Sequence, residues 1–273
     1  MAAAGVIRTG IGGWTFEPWR GVFYPKGLKH ADELHYASRR LATIEINGTY
    51  YSSFKPDSWA KWRAATPDGF RFAVKASRFC TNRKVLSDGK GSMDIFLNQG
   101  LAELGDRLGP ILWQFAPTKK FDYDEFAGFL ELLPRRLADL PLAHVVEVRN
   151  ETFADARFVA LCRDANVAIC NSENEKYPYI PDITADFVYM RLLSADDAVE
   201  TGYTPDELDL WAGRFREYAE GKVPADFRPL DRTGPPETAH DVYAYVIHEG
   251  KVRAPRAAME LQARCGGLTV AAD

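Results

Sequence analysis

Two short segments of this chain, Thr43-Ile-Glu-Ile-Asn47 and Val145-Val-Glu-Val-Arg149, each set two polar side chains two residues apart in an apolar, β-branched run. Strand periodicity is two, so Glu45 and Asn47 face one way, as do Glu147 and Arg149, with Ile46 and Val148 opposite. A buried, unpaired carboxylate is too costly to persist, so these groups must be paired, hydrated or bound to a ligand. Residue type then suggests roles. Glu45 or Glu147 suits a general base, provided its surroundings push the two pKa values apart. Lys75 suits stabilisation of a developing anion or, if desolvated, a base. A Schiff-base role for it has only residue type behind it. Arg149 and Arg191 suit a carboxylate or phosphate on a substrate. Asn47, Gln114 and Asn171 suit orienting a hydroxyl or carbonyl. The competing reading is an internal ion-pair network, Glu45 with Lys75 and Glu147 with Arg149 or Arg191. If the set is catalytic, Glu147→Gln removes turnover and leaves the melting temperature nearly unchanged.

All of these residues fall at or near the ends of strand-like runs. Eight such runs recur, over 6–12, 42–48, 70–76, 111–116, 144–149, 167–171, 187–192 and 242–247, marked by β-branched and aromatic density between polar, Gly or Pro boundaries. Helical spacing separates most of them. Helices are expected near 31–41, 58–65, 123–133, 155–165 and 255–264. Met93, Leu97, Leu101, Leu104 and Leu108 lie on one face of another, ending near Gly109-Pro110. Leu208, Trp211, Phe215 and Tyr218 line one more, opened by Thr204-Pro-Asp-Glu207, a capping box with proline at the first helical position. This rhythm predicts an α/β fold, a single eight-stranded parallel β/α (TIM) barrel, whose active sites sit at the carboxyl ends of the strands. In a closed barrel the polar parity of each strand is then the interior. Between 173 and 186 the sequence offers no good helix, so the sixth helix is poorly formed or replaced by a loop. The Pro- and Asp-rich stretch 221–240 reads as an insertion before the last strand, on the face away from the site.

The 273 residues match the roughly 250 a barrel needs, so one domain covers 1–273, with the barrel over about 6–265. A net charge of −4 gives no global attraction to nucleic acid or an anionic membrane. No apolar run approaches the roughly 20 residues of a membrane span. The start, Met1-Ala-Ala-Ala-Gly5, lacks the pattern of a secretion signal. Cys80, Cys162, Cys170 and Cys265 form no C-x-x-C pair, and a reduced, cytoplasmic setting is expected.

Aromatics cluster after the first two strands. Trp14 and Tyr51 lie nearest strand ends and suit stacking on a sugar or base, or simply packing the barrel mouth. His248 is the one histidine at a strand's carboxyl end. No spacing supports zinc. No cofactor is expected, although a divalent metal on Glu45, Glu147, Glu173 or Glu249 stays open. Lys75, Arg78, Arg83, Lys84 and Lys90, against Asp88 alone, make the loop after the third strand basic. That loop could meet a phosphate or a nucleic-acid backbone.

Several stretches together resemble the YecE-like family, also called domain-of-unknown-function family 72. They are Ile11-Gly-Gly-Trp14 through Pro25; Ile44 through Tyr51; Trp62 through Lys75; Leu108 through Phe115; Val146 through Arg149; and Asp186 through Arg191. The resemblance spans most of the chain and implies a β/α barrel. It supplies no reaction. It does imply that Glu45, Asn47, Tyr51, Lys75, Gln114, Glu147, Arg149 and Arg191 are recurring positions. The chain departs from the family at Asn82, where a histidine is usual; at Leu193, likewise; and at Ile247-His248, where an Asn pair is usual. All three lie near the expected site, which implies either an altered substrate or a lost activity. The preferred expectation is an enzyme doing acid–base chemistry, hydrolysis or isomerisation, on a small polar, sugar-like or phosphorylated molecule. The alternative is a non-catalytic binder of a ligand or nucleic acid that uses the mouth and the 75–90 loop.

Overall fold

Side chains along the strands point alternately out to the helices and into the barrel, and both faces are buried. The computed structural model describes residues 4–173, 175–231, 238–247 and 250–266. Eight strands, β1 (Ile7–Gly12), β2 (Thr43–Ile46), β3 (Arg71–Lys75), β4 (Leu108–Gln114), β5 (His144–Glu147), β6 (Val167–Ser172), β7 (Phe187–Leu192) and β8 (Asp241–Val246), form a closed parallel barrel. Each strand pairs with its neighbours in chain order, and β8 closes on β1 through Ile7 opposite Val242 to Ile11 opposite Val246. Outward residues such as Ile44, Phe72, Val74, Trp113, Val146, Val188 and Met190 join the helices in the larger core. Inward residues Ala73, Leu112, Val145, Ala168, Cys170, Phe187, Tyr189, Tyr243 and Tyr245 form a separate, smaller core inside the barrel. Burial of both strand faces suits an all-parallel sheet.

The helices are α1 (Glu33–Ser38), α2 (Pro56–Ala65), α3 (Arg78–Thr81), α4 (Lys90–Leu97), α5 (Tyr123–Glu131), α6 (Ala156–Asp164), α7 (Pro205–Ala219) and α8 (Ala254–Arg264). Local chemistry starts them. Pro56, Pro205 and Pro255 stand in first turns. Asp122 and Asp155 cap α5 and α6 with their side chains. The capping box at Thr204 and Glu207 is present, with both reciprocal bonds.

The single helix expected over 93–108 is broken. α4 stops at Leu97, Gly100 takes φ +121, and a 3-10 stretch with a kink at Gly105 leads directly into β4 at Leu108. Gly109-Pro110 therefore lies in a strand rather than ending a helix. A Cβ at Gly109 would come 2.8 Å from the Phe72 carbonyl oxygen, and the β3–β4 register shifts there. The pair marks a bulge, the other setting in which strands accept glycine and proline.

Between β6 and β7 the described residues form no helix. The crossover is fastened instead. Asn171 Oδ1 accepts from Ile180 N at 3.2 Å, and Tyr218 Oη donates to the Pro181 carbonyl at 3.0 Å. Asp182 accepts from Leu230 N and Asp231 N, and Phe227 packs on Tyr179 with ring centroids 4.9 Å apart. The segment after α7 is thus held against the β6–β7 crossover; its residues 232–237 fall outside the described residues.

Candidate active site

Inward parity and the carboxyl ends of five strands bring Glu45, Lys75, Gln114, Glu147 and Arg191 into one layer, which Arg149 joins from the residue just past β5. Glu45 is fully buried, and Arg191 bridges the two carboxylates: its Nη2 donates to Glu45 Oε1 at 2.9 Å and its Nη1 to Glu147 Oε2 at 2.8 Å. Tyr189, two residues before Arg191 on the same face, donates to Glu45 Oε2 at 2.6 Å. Arg149 donates to Glu147 Oε1 from Nε at 2.8 Å and from Nη2 at 2.6 Å, and Nη2 also reaches Gln114 Oε1 at 2.8 Å. Both carboxylates are therefore bonded on both oxygens. Such charge-assisted, partly bidentate bonds are what make burial of two acids tolerable.

The expected Glu45–Lys75 pair is absent. Arg191, with its two-pronged guanidinium, takes the place between the acids that a single ammonium cannot fill. Among the described residues Lys75 has no ion pair; its amine lies 4.4 Å from the centroid of the Tyr50 ring. Lys75 is 9% exposed. Burial, and then the Arg191 charge, lower its pKa to about 8, against a partial upward pull from Glu45 and Glu147. Burial alone would raise Glu147, but Arg191, Arg149 and Lys75 outweigh it and hold that carboxyl below its ordinary value. The Tyr189 hydroxyl is pushed far up by burial and by Glu45, so it remains a donor.

The other expected residues divide. Asn47 stands just past β2, its Nδ2 3.4 Å from the Glu45 carbonyl oxygen. Tyr51 sits on the rim, 68% exposed, edge-on to Tyr50 and 5.8 Å from the Arg78 guanidinium. Trp14 is not at the mouth: its ring packs edge-on against Trp62 of α2, 5.2 Å between centroids, and against outward-facing Phe72. Glycine at 12 and 13 lets the chain turn outward there, so the indole finds the helix layer. Asn171 also faces outward, level with Met190, and holds the crossover. The inward positions of β6 are Cys170 and Ser172. His248 lies outside the described residues, as does Glu249. Glu173 accepts from Tyr203 Oη, Trp211 Nε1 and the backbone of Leu193 and Ser194, so it fastens the loop after β7. Among the described residues no three His, Cys, Asp or Glu side chains are placed to hold a metal ion.

Sequence reasoning missed Tyr189 and Tyr177, and it counted Tyr50 among the aromatics after the second strand without singling it out. The period-two rule applied backwards from Arg191 finds Tyr189. Tyr50 lies in a 3-10 turn and Tyr177, whose ring is 4.7 Å from the Arg149 guanidinium, in the crossover; neither follows a periodicity. Of the three departures from the family pattern, Asn82 reaches the Tyr50 hydroxyl at 3.4 Å, and Leu193 and Ile247 pack on the interior core. In the basic loop, Arg83 is bonded to the Phe79 carbonyl and to Ser92, and Lys90 to Asp94. No helix among the described residues is long and apolar enough to cross a membrane.

Comparison with known proteins agrees with this architecture. The profile of the family described as "Protein of unknown function DUF72" matches residues 8–271. The UPF0759 protein YecE of Escherichia coli O157:H7 is 23% identical over 261 residues, covering 87% of this chain and 92% of that protein. A DUF72 family protein from Thermotoga maritima superimposes with a TM-score of 0.67 at 22% identity, over 94% of this chain and 97% of the other. One from Enterococcus faecalis gives 0.67 at 18%, covering 95% of each. D-psicose 3-epimerase, at 13% identity and a TM-score of 0.50 over 94% and 96% of the two chains, shares the barrel fold.

Proposed function

We propose that this chain, which belongs to the DUF72 family of proteins of unknown function, is an enzyme that performs acid–base chemistry on a small polar molecule at the carboxyl ends of its barrel strands. Lys75 is the group that gives and takes the proton. The observation that carries this reading is that Lys75 is a buried amine with no ion pair among the described residues, beside two carboxylates whose four oxygens are all taken. Glu45 and Glu147 are the wrong acids for proton transfer, since each oxygen already accepts from a guanidinium or phenol. Their part is to hold Arg191 and Arg149 in place. An amine with a pKa of about 8 is neutral in roughly a tenth of molecules at pH 7, against roughly one in three thousand for an ordinary lysine. Arg149, half-buried and reaching the mouth, suits a carboxylate or phosphate on the substrate, and Asn47 and Tyr51 at the rim suit its hydroxyls.

The test is a pH titration of the lysine side-chain resonances in ¹³C-lysine-labelled protein, with the Lys75 signal assigned by its loss in Lys75→Met. One lysine titrating near 8, with consumption of a component of a mixed sugar and sugar-phosphate pool that disappears in Lys75→Met, is the expected result. Titration of Lys75 together with the surface lysines overturns the reading.

A further inference from the structure

We propose that Lys75 is a Schiff-base lysine, condensing with the ketone of a small anionic substrate, a keto acid or keto-sugar phosphate, whose anion pairs with Arg149. This deepens the acid–base reading and rests on it, because only an amine that is neutral for part of the time can attack a carbonyl carbon.

Four features of the mouth support it. The two carboxylates that would ordinarily neutralise a buried lysine are occupied by other partners, so the amine has no ion pair among the described residues. Burial first, and then the Arg191 and Arg149 charges, favour its neutral, nucleophilic form. The Tyr50 ring covers it at 4.4 Å, shielding one side from water and offering a π-face to the cationic iminium product. Arg149 Nη1 has only a 3.5 Å contact with the Tyr177 hydroxyl, whereas its Nε and Nη2 are fully used. That edge of the guanidinium keeps donor capacity for an anion while the rest is locked in orientation.

The step balances without a further reactant. The neutral amine adds to the carbonyl carbon, a C–N bond forms and the C=O π pair moves to oxygen. One proton passes from nitrogen to that oxygen, and a second, drawn from solvent, lets it leave as water as the C=N bond forms. Amine, ketone and one proton give iminium and water.

The experiment is reductive trapping on the full chain. The protein is incubated with pyruvate or with dihydroxyacetone phosphate, reduced with borohydride, digested and read by mass spectrometry. The expected adduct, equal in mass to the keto compound less one oxygen, sits on the peptide containing Lys75. It is absent in Lys75→Arg and in Lys75→Met, each checked for folding by circular dichroism, and falls roughly tenfold in Arg149→Met at limiting probe. No adduct at Lys75 with either probe, or the same pattern of labelled surface lysines in wild type and Lys75→Arg, overturns the proposal. If trapping fails while Lys75 still titrates near 8 and consumption depends on it, the imine is wrong and the acid–base reading stands. If Lys75 titrates as an ordinary lysine, both fall.

Discussion

The two ends of the barrel interior are built from the same strands and differ in what they bury. The deeper end is packed by Phe187, Tyr243, Val145 and Ala168, with Arg8 closing it through Asp241 and the Tyr243 ring. Its hydroxyls are few, and those of Thr43 and Tyr245 bond to each other at 2.8 Å. Further along five of the strands the inward side chains become Glu45, Lys75, Gln114, Glu147 and Arg191. An apolar layer there would pack as well and avoid the cost of taking charges out of water. The contrast separates a layer whose composition follows from stability alone from one whose composition does not.

The largest effect is expected from removing the residue that joins the two acids. Arg191→Met leaves Glu45 and Glu147 buried without their shared partner and should cost about 3–5 kcal/mol, read from urea denaturation. It should also raise the Lys75 pKa, since a depressing charge is lost and two carboxylates are freed. Phe187→Ala at the opposite end should cost a similar ~3–5 kcal/mol through the cavity it leaves, but with the Lys75 titration unmoved. If both variants shift Lys75 equally, the two ends are one unit and the contrast fails.

The strand alternation made most of the barrel legible. Glu45 with Asn47, and Glu147 with Arg149, announce an inward charged layer, and period two fixes its parity. Partner choice was legible for Glu147, for which Arg149 or Arg191 was expected and both bind, but not for Glu45. Whether Glu45 meets Lys75 or Arg191 depends on distances across the barrel, which no spacing along the chain encodes. The same limit reverses one expectation: with three guanidinium bonds on Glu147, neutralising it strikes stability as well as any turnover. Gly109-Pro110 misled because the pair both ends helices and marks strand bulges, and only the β3 backbone pressing at 2.8 Å decides between them. Trp14 and Asn171 misled for a different reason. Nearness to a strand end says nothing about facing: Asn171 has the wrong parity, and Trp14 follows two glycines, beyond the reach of parity.

The smallest effect is the most diagnostic, and its sign is opposite to the others. Lys75 titrates at about 8 in the folded chain against 10.5 for an ordinary lysine. Between those values the unfolded chain binds more protons, so stability rises with pH there; below 8 the whole penalty is present, up to about 3 kcal/mol. Lys75→Met keeps the volume and removes the charge. It should therefore stabilise the protein at pH 7 by up to that amount, ~3 kcal/mol, and the gain should vanish by about pH 10.5. Urea midpoints for both proteins across that range measure it. A variant that is less stable than wild type at pH 7 would show that the amine has a partner in solution, and the charged layer would then be structural at every position. A variant that is more stable, with wild-type stability climbing above pH 8, shows that this barrel keeps a destabilising residue at its mouth. On the function proposed above, such a residue is kept for what it does to a ligand, since nothing in the packing of the interior asks for it.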